Sequence, residues 1–145
     1  MPDNGATREL SGRRPAFNHP KSGELRMQRF TDLKVWQRAH ALVLATYRLT
    51  QKFPENERFG LVSQVQRAAV SVPANIAEGS KRQGRQDYAR FINIAEGSLA
   101  ETEYLLILAR DLGYIAAEEA DPRFADIAEV ARMLHALRVK VEEPR

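Results

Sequence analysis

Lys81, Arg82, Arg85 and Arg90 fall within a ten-residue stretch, KRQGRQDYAR, and form the densest basic cluster outside the first 29 residues. Cations at that density on one turn are suited to phosphate oxygens, the sequence-independent part of nucleic-acid binding. Arg138 and Lys140, near the other end of the sequence, could join them. Three carboxylates, Glu78, Glu96 and Glu101, could form an acid/base pair, but carboxylates on neighbouring helices are ordinarily solvated or paired with arginines such as Arg67 or Arg90. The histidines His40 and His135 could serve a metal centre inside a helical bundle, which requires Glu-x-x-His pairs and further inward carboxylates. Neither has a glutamate three residues before it, and His19 lies in the N-terminal stretch. His40 reads as a packed, hydrogen-bonded residue. No phosphate-binding glycine loop or nucleophile elbow is present. The residues point away from catalysis, metal and cofactor, and toward binding.

The chain has 145 residues and no cysteine, enough length for one domain with a real core and no thiol chemistry. It has no secretory apolar run at its start and no stretch near the ~18 apolar residues of a membrane span, so a cytoplasmic location without membrane contact is expected. Residues 1–29 are rich in Gly, Pro, Ser, Asn and Arg without periodicity, and are expected to be a disordered basic tail. Met27 is a candidate start codon. The net charge is +3, and residues 1–29 account for all of it, with six basic and three acidic groups. The remaining 30–145 segment is neutral overall, so only local clustering can favour an anionic partner.

Apolar spacing of three and four predicts four helices in 30–145. The first starts near Thr31 or Asp32, either of which can cap it, and runs to Phe53 before Pro54. Trp36, His40, Val43, Leu44 and Tyr47 share one side of it, and Val35, Ala39, Leu42, Leu49 and Phe53 share the adjoining side. Together they span about 200°, wider than the roughly 100° stripe of an ordinary surface helix. Either the helix is deeply buried in its own bundle or a second subunit covers one face. The second reading assigns Val35, Ala39, Leu42, Leu49 and Phe53 to a subunit contact.

Helix two spans about Glu57 to Glu78, ending at Gly79, with Pro73 in its middle. Val62, Val65, Ala69, Val72 and Ile76 keep helical spacing through the proline, which predicts one kinked helix. The alternative is two helices, the second capped by Ser71. Asn75 could bond the carbonyls that Pro73 leaves without donors. Gln64, Ser71, Asn75 and Glu78 form a polar line, read as a solvated or partly buried seam.

Helix three, about Arg85 to Leu112, carries the heptad Tyr88, Phe91, Ala95, Ser98, Thr102, Leu105, Ala109 and Leu112. Gly97 and Ser98 suggest a close crossing, and Gly113 followed by Tyr114 suits a C-terminal cap. Helix four begins either at Pro122 after an Asp121 cap or near Ala117. Its buried side is expected at Phe124, Ile127, Ala131, Leu134 and Val141.

Four long helices with short loops imply an all-α, antiparallel up-down-up-down bundle. That topology collects residues 1–34, 78–90 and 132–145 at one end, with charges of +3, +2 and +2. The opposite end collects 48–58 at +1 and 101–123 at −4. The molecule is therefore expected to be electrically polar along its length.

The segments DLKVWQRAHAL (32–42), QRAAVSVPANIAEGSKR (66–82), YARFINIAEGSLAETEYLLILARDLGY (88–114) and RML (132–134) resemble the bacterial four-helix-bundle family of proteins encoded in intervening sequences of 23S ribosomal RNA. Pro122 departs from the family pattern, and the N-terminal stretch falls outside it. The resemblance implies an antiparallel bundle assembled as a ring-shaped homo-oligomer, typically a pentamer, with no known enzymatic activity. Related accessory proteins of diversity-generating retroelements are thought to bind nucleic acid on a basic ring surface and to engage a reverse transcriptase. The expected function is weak, sequence-tolerant RNA or DNA binding. The alternative is a protein-interaction scaffold that does not touch nucleic acid.

Overall fold

The computed structural model describes residues 29–144, so the expectation of a disordered tail over 1–29 lies almost entirely outside the described residues. Four α-helices succeed one another: α1 Lys34–Thr50, α2 Leu61–Ser80, α3 Arg85–Asp111 and α4 Ala117–Glu142. No strand occurs among the described residues. Contacts pair rising residue numbers on one helix with falling numbers on the next. Ser71 meets Ser98 and Gly79 meets Phe91 between α2 and α3, while Glu96 meets Arg138 and Arg110 lies over Phe124 between α3 and α4. Arg38 of α1 pairs with Glu129 of α4, and Lys52, two residues past the end of α1, pairs with Glu119 of α4. The shared core runs from Leu42 and Val65 through Ile76, Ile92 and Leu106 to Val130 and Leu134, all nearly inaccessible to solvent.

The start of α1 differs from expectation. A 3-10 turn, Phe30–Asp32, comes first, and extended Leu33 then leads into the helix with no side-chain cap. Thr31 and Asp32 belong to this turn, which sets Phe30 edge-on to Trp36 at 5.3 Å. At its other end the α-helix stops at Thr50. Three successive i to i−3 bonds then tighten the chain through Phe53.

The second helix likewise starts later than Glu57, because that residue lies in a separate 3-10 turn, Glu55–Glu57. Its carboxylate caps α2 instead, accepting the Leu61 N–H at 3.0 Å. The same carboxylate accepts the Tyr114 hydroxyl at 2.8 Å. These two hydrogen bonds, the backbone one first, hold the Glu57 carboxyl below its ordinary range, and the bond to Glu57 pushes the Tyr114 hydroxyl above its own.

Through Pro73 α2 is continuous, so the chain forms one helix there and Ser71 does not cap a second. Ser71 Oγ pairs with Ser98 Oγ at 2.8 Å. Asn75 does not reach the carbonyl of Ala69, the one that Pro73 deprives of a donor. Its Nδ2 donates to the Ser71 carbonyl and hydroxyl at 2.8 and 2.9 Å. The polar seam is thus a local network, half-buried at Ser71 and Asn75 and exposed at Gln64 and Glu78.

In α3 the heptad residues face the core except Leu112, which is exposed beside the helix end. Gly113, at φ 82°, closes that end: its N–H bonds Arg110 O and the Tyr114 N–H reaches back to Ala109 O, each at 2.9 Å. Tyr114 then packs on Phe53 with ring centroids 5.6 Å apart. The fourth helix begins at Ala117 and carries Pro122 inside it, with Glu119 accepting the Ala116 N–H at 3.3 Å. Val130 takes the buried place expected of Ala131, which is exposed.

The close crossing of α2 and α3 is at Gly79 and Ser98, not at Gly97. A Cβ on Gly79 would lie 2.7 Å from Phe91 Cβ and 3.1 Å from Tyr88 Cδ1, whereas one on Gly97 would meet nothing within 4 Å. Gly79→Ala should therefore destabilise the bundle by about 1–3 kcal/mol through overpacking. Gly97→Ala should stabilise it by about 0.5–1 kcal/mol through helix propensity. Denaturant unfolding of the two variants checks both signs. A second expectation concerns pH. Because the folded Glu57 pKa is depressed, its contribution is present above the ordinary carboxylate pKa and is lost as pH falls through the folded value. The melting-temperature deficit of Glu57→Gln at neutral pH should shrink in acid, and a pH-independent deficit would contradict the capping role.

Candidate nucleic-acid interface

The α2–α3 turn, Lys81–Gly84, is exposed and is held between two helix ends that the Gly79 crossing fixes. Arg82 donates to Glu78 at 2.8 Å and lies 3.8 Å from Asp87, which also accepts from Arg90 at 2.9 Å. Both guanidiniums sit over the buried Phe91 ring, at 4.7 and 4.6 Å from its centroid. Cation–π contact and ion pairing therefore arrange Glu78, Arg82, Asp87 and Arg90 as a quartet of zero net charge. Two of the four basic residues near the turn are locally compensated.

Arg85 is different. Its guanidinium donates to the backbone carbonyl of Glu143, which ties the start of α3 to the end of α4 without neutralising the charge. Lys81 and Lys140 are exposed and have no carboxylate within ion-pair distance among the described residues. Lys34, at the start of α1, shares that condition and was not singled out by sequence reasoning. The signal available was its place at the same end, since Leu33, Arg85 and Lys140 line one groove there.

Arg138 does not belong to the exposed basic set. It is about a quarter exposed, donates to Glu96 at 2.7 Å and lies 3.6 Å from Glu142. The Glu96 hydrogen bond and charge raise its already high pKa. Its work is to join α3 and α4. Of the carboxylates considered for acid/base chemistry, Glu78 bonds Arg82 and Glu96 bonds Arg138, while Glu101 is exposed. No group of three or more His, Asp or Glu side chains among the described residues could hold a metal ion. His40 is exposed and stacks on Trp36 at 5.1 Å, with the rings 9° from parallel.

The face of α1 assigned to a subunit contact lies inside the chain itself. Val35, Ala39, Leu42, Leu49 and Phe53 are at most 7 % exposed and belong to the common core. The physical reason is helical phase: the buried Thr46 and Thr50 lie on their side, so that side faces inward. The exposed apolar groups of α1 are Leu44 and Tyr47, at 46 % and 42 %, with Val70 of α2 also exposed. On the other half of the stripe Val43 is buried and Trp36 half-buried, which leaves His40, Leu44 and Tyr47 exposed.

The described residues thus form four α-helices with no strand, and cations gather at one end of them. The chain belongs to the 23S rRNA-intervening sequence protein family, whose pattern matches residues 31–136. It is also similar to a crystal structure from Bacteroides thetaiotaomicron, described as a protein of unknown function from the S23 ribosomal protein family. The two share 27% identity and a TM-score of 0.65, over 72% of this chain and 97% of the other. No curated protein matches. Among the described residues no helix is long and apolar enough to cross a membrane.

Proposed function

We propose that this protein is a non-enzymatic, up-down-up-down helical bundle that assembles with copies of itself into a ring and binds RNA or DNA through its basic end. The observation that carries the reading is the placement of Lys81, Arg85 and Lys140. All three are cations without carboxylate partners among the described residues, and Arg85 and Lys140 border one groove. Contacts of this kind go to phosphates, so binding is weak, tolerant of sequence and sensitive to salt. Arg82 and Arg90 contribute less, because Glu78 and Asp87 offset them. Ring assembly would place several such ends on one rim and multiply the attraction. Leu44, Tyr47 and Val70 are among the exposed apolar groups, and we assign the subunit contact to them.

A second reading, a scaffold that binds a protein and not nucleic acid, is favoured by one observation. Phe59, in the loop before α2, is 88 % exposed, with only the Arg58 guanidinium over its ring at 5.4 Å. An aromatic side chain so presented suits a protein partner at the end away from the basic groups.

Fluorescence anisotropy with a labelled single-stranded RNA tests the first reading. The logarithm of affinity should fall linearly with the logarithm of salt concentration, with a slope of about −0.7 for each phosphate neutralised. Lys81→Ala, Arg85→Ala and Lys140→Ala should each remove about one such increment, and Arg82→Ala less. Salt-independent binding would contradict phosphate recognition. For assembly, light scattering at micromolar concentration should give a mass several times 16.4 kDa, returning to the monomer value in a Leu44→Glu, Tyr47→Glu double variant. A monomeric native protein would contradict the ring.

A further inference from the structure

Between the start of α1, the first turn of α3 and the last turns of α4 lies a groove of about 520 Å³, of the size that admits a small planar ligand. Its walls have two characters. Leu33, Tyr88, Leu137 and Val141 supply apolar surface, each of them packed against the core on its inner side. Arg85 and Lys140 supply positive charge. Glu143 also lines the groove and its negative charge offsets part of that of the two cations, while its backbone carbonyl accepts from Arg85.

Tyr88 is the only aromatic residue of this lining, and its position is set from behind. The missing side chain of Gly79 lets α2 press against Tyr88 and Phe91. The Tyr88 hydroxyl makes no hydrogen bond to a described residue, and the ring is half-buried. Burial pushes its hydroxyl pKa up, so the group is a neutral phenol able to donate or accept. An aromatic side chain among aliphatic ones, bordered by two cations, matches the two halves of a nucleotide. The base meets Tyr88 and the aliphatic wall, and the phosphate meets Arg85 and Lys140.

Resting on the nucleic-acid reading above, we infer that this groove takes one unpaired nucleotide, so that the protein prefers single strands or strand ends to blunt duplex. In a duplex the bases are stacked and paired, and only the backbone can reach the groove's cations. A duplex thus gains the phosphate contacts and forgoes the stacking. The paired state holds the higher density of phosphate, so simple electrostatics would favour the duplex. A preference for the strand therefore isolates the groove's contribution.

The test is anisotropy of the full chain with a short labelled RNA strand and with the blunt duplex it forms with its complement. The strand should bind roughly tenfold more tightly. Tyr88→Leu, which keeps apolar bulk and loses the ring, should abolish that preference while leaving duplex affinity within about twofold; Tyr88→Phe should keep the preference. Because Tyr88 touches α2, Val141→Met serves as a second variant that adds bulk to the groove lining without an aromatic face. It too should weaken strand binding selectively. Equal affinity for strand and duplex, or equal loss of both in the Tyr88→Leu and Val141→Met variants, would overturn the groove assignment and leave the basic-end reading standing. Failure of the native protein to bind either RNA would remove both.

Discussion

Gly79 has hydrogen where any other residue would place a Cβ, and that Cβ would sit 2.7 Å from Phe91. The approach of α2 to α3 at this point shapes the whole basic end of the bundle. It brings the buried Phe91 ring under the guanidiniums of Arg82 and Arg90, and it fixes the Tyr88 ring that lines the end groove. The Ser71–Ser98 hydrogen bond, about two turns away, keeps the two helices close along their length. Pro73 lies between these contacts without breaking the helix, since packing on both sides outweighs the single backbone bond it removes. The proline is thus an element of helix architecture; the side chains that offer chemistry lie beyond it, at and after the turn.

Charge at that end is divided by its neighbours. Arg82, Arg90 and Arg138 pair with Glu78, Asp87, Glu96 and Glu142, and so stabilise turns and helix contacts. Lys81, Arg85 and Lys140 have no such partner among the described residues. Exposed ion pairs contribute little to stability, on the order of 0–1 kcal/mol each, yet they cancel local potential effectively. Six basic residues of similar appearance therefore divide into those compensated by a carboxylate and those whose charge is available to a phosphate.

Several elements were legible from residue order alone. The heptad of α3 marks its buried side because that helix meets its own chain along nearly its whole length, and the Gly113–Tyr114 pair forms the expected cap because its geometry is local. The wide stripe of α1 was legible as a surplus, but periodicity cannot say which half faces inward. Thr46 and Thr50, polar by type and buried in fact, decide it. Gly79 and Gly97 look alike in sequence, and only the position of Phe91 separates a required glycine from an unconstrained one. The charge asymmetry needed counting together with the expected alternation of helix direction. Its compensation depended on contacts across the fold, such as Arg138 with Glu96 and Arg85 with the carbonyl of Glu143. The groove was not legible, because its walls come from three helix ends brought together by folding.

The most direct measurement is amide hydrogen exchange of the full chain with and without a single-stranded RNA. Slowed exchange should concentrate at Lys81–Tyr88 and at Leu137–Glu143, with the turns near Phe59 and Gly113 unchanged. Protection confined to the Phe59 and Gly113 end, or no change at Lys81–Tyr88 under conditions where the RNA is bound, would contradict recognition at the basic end.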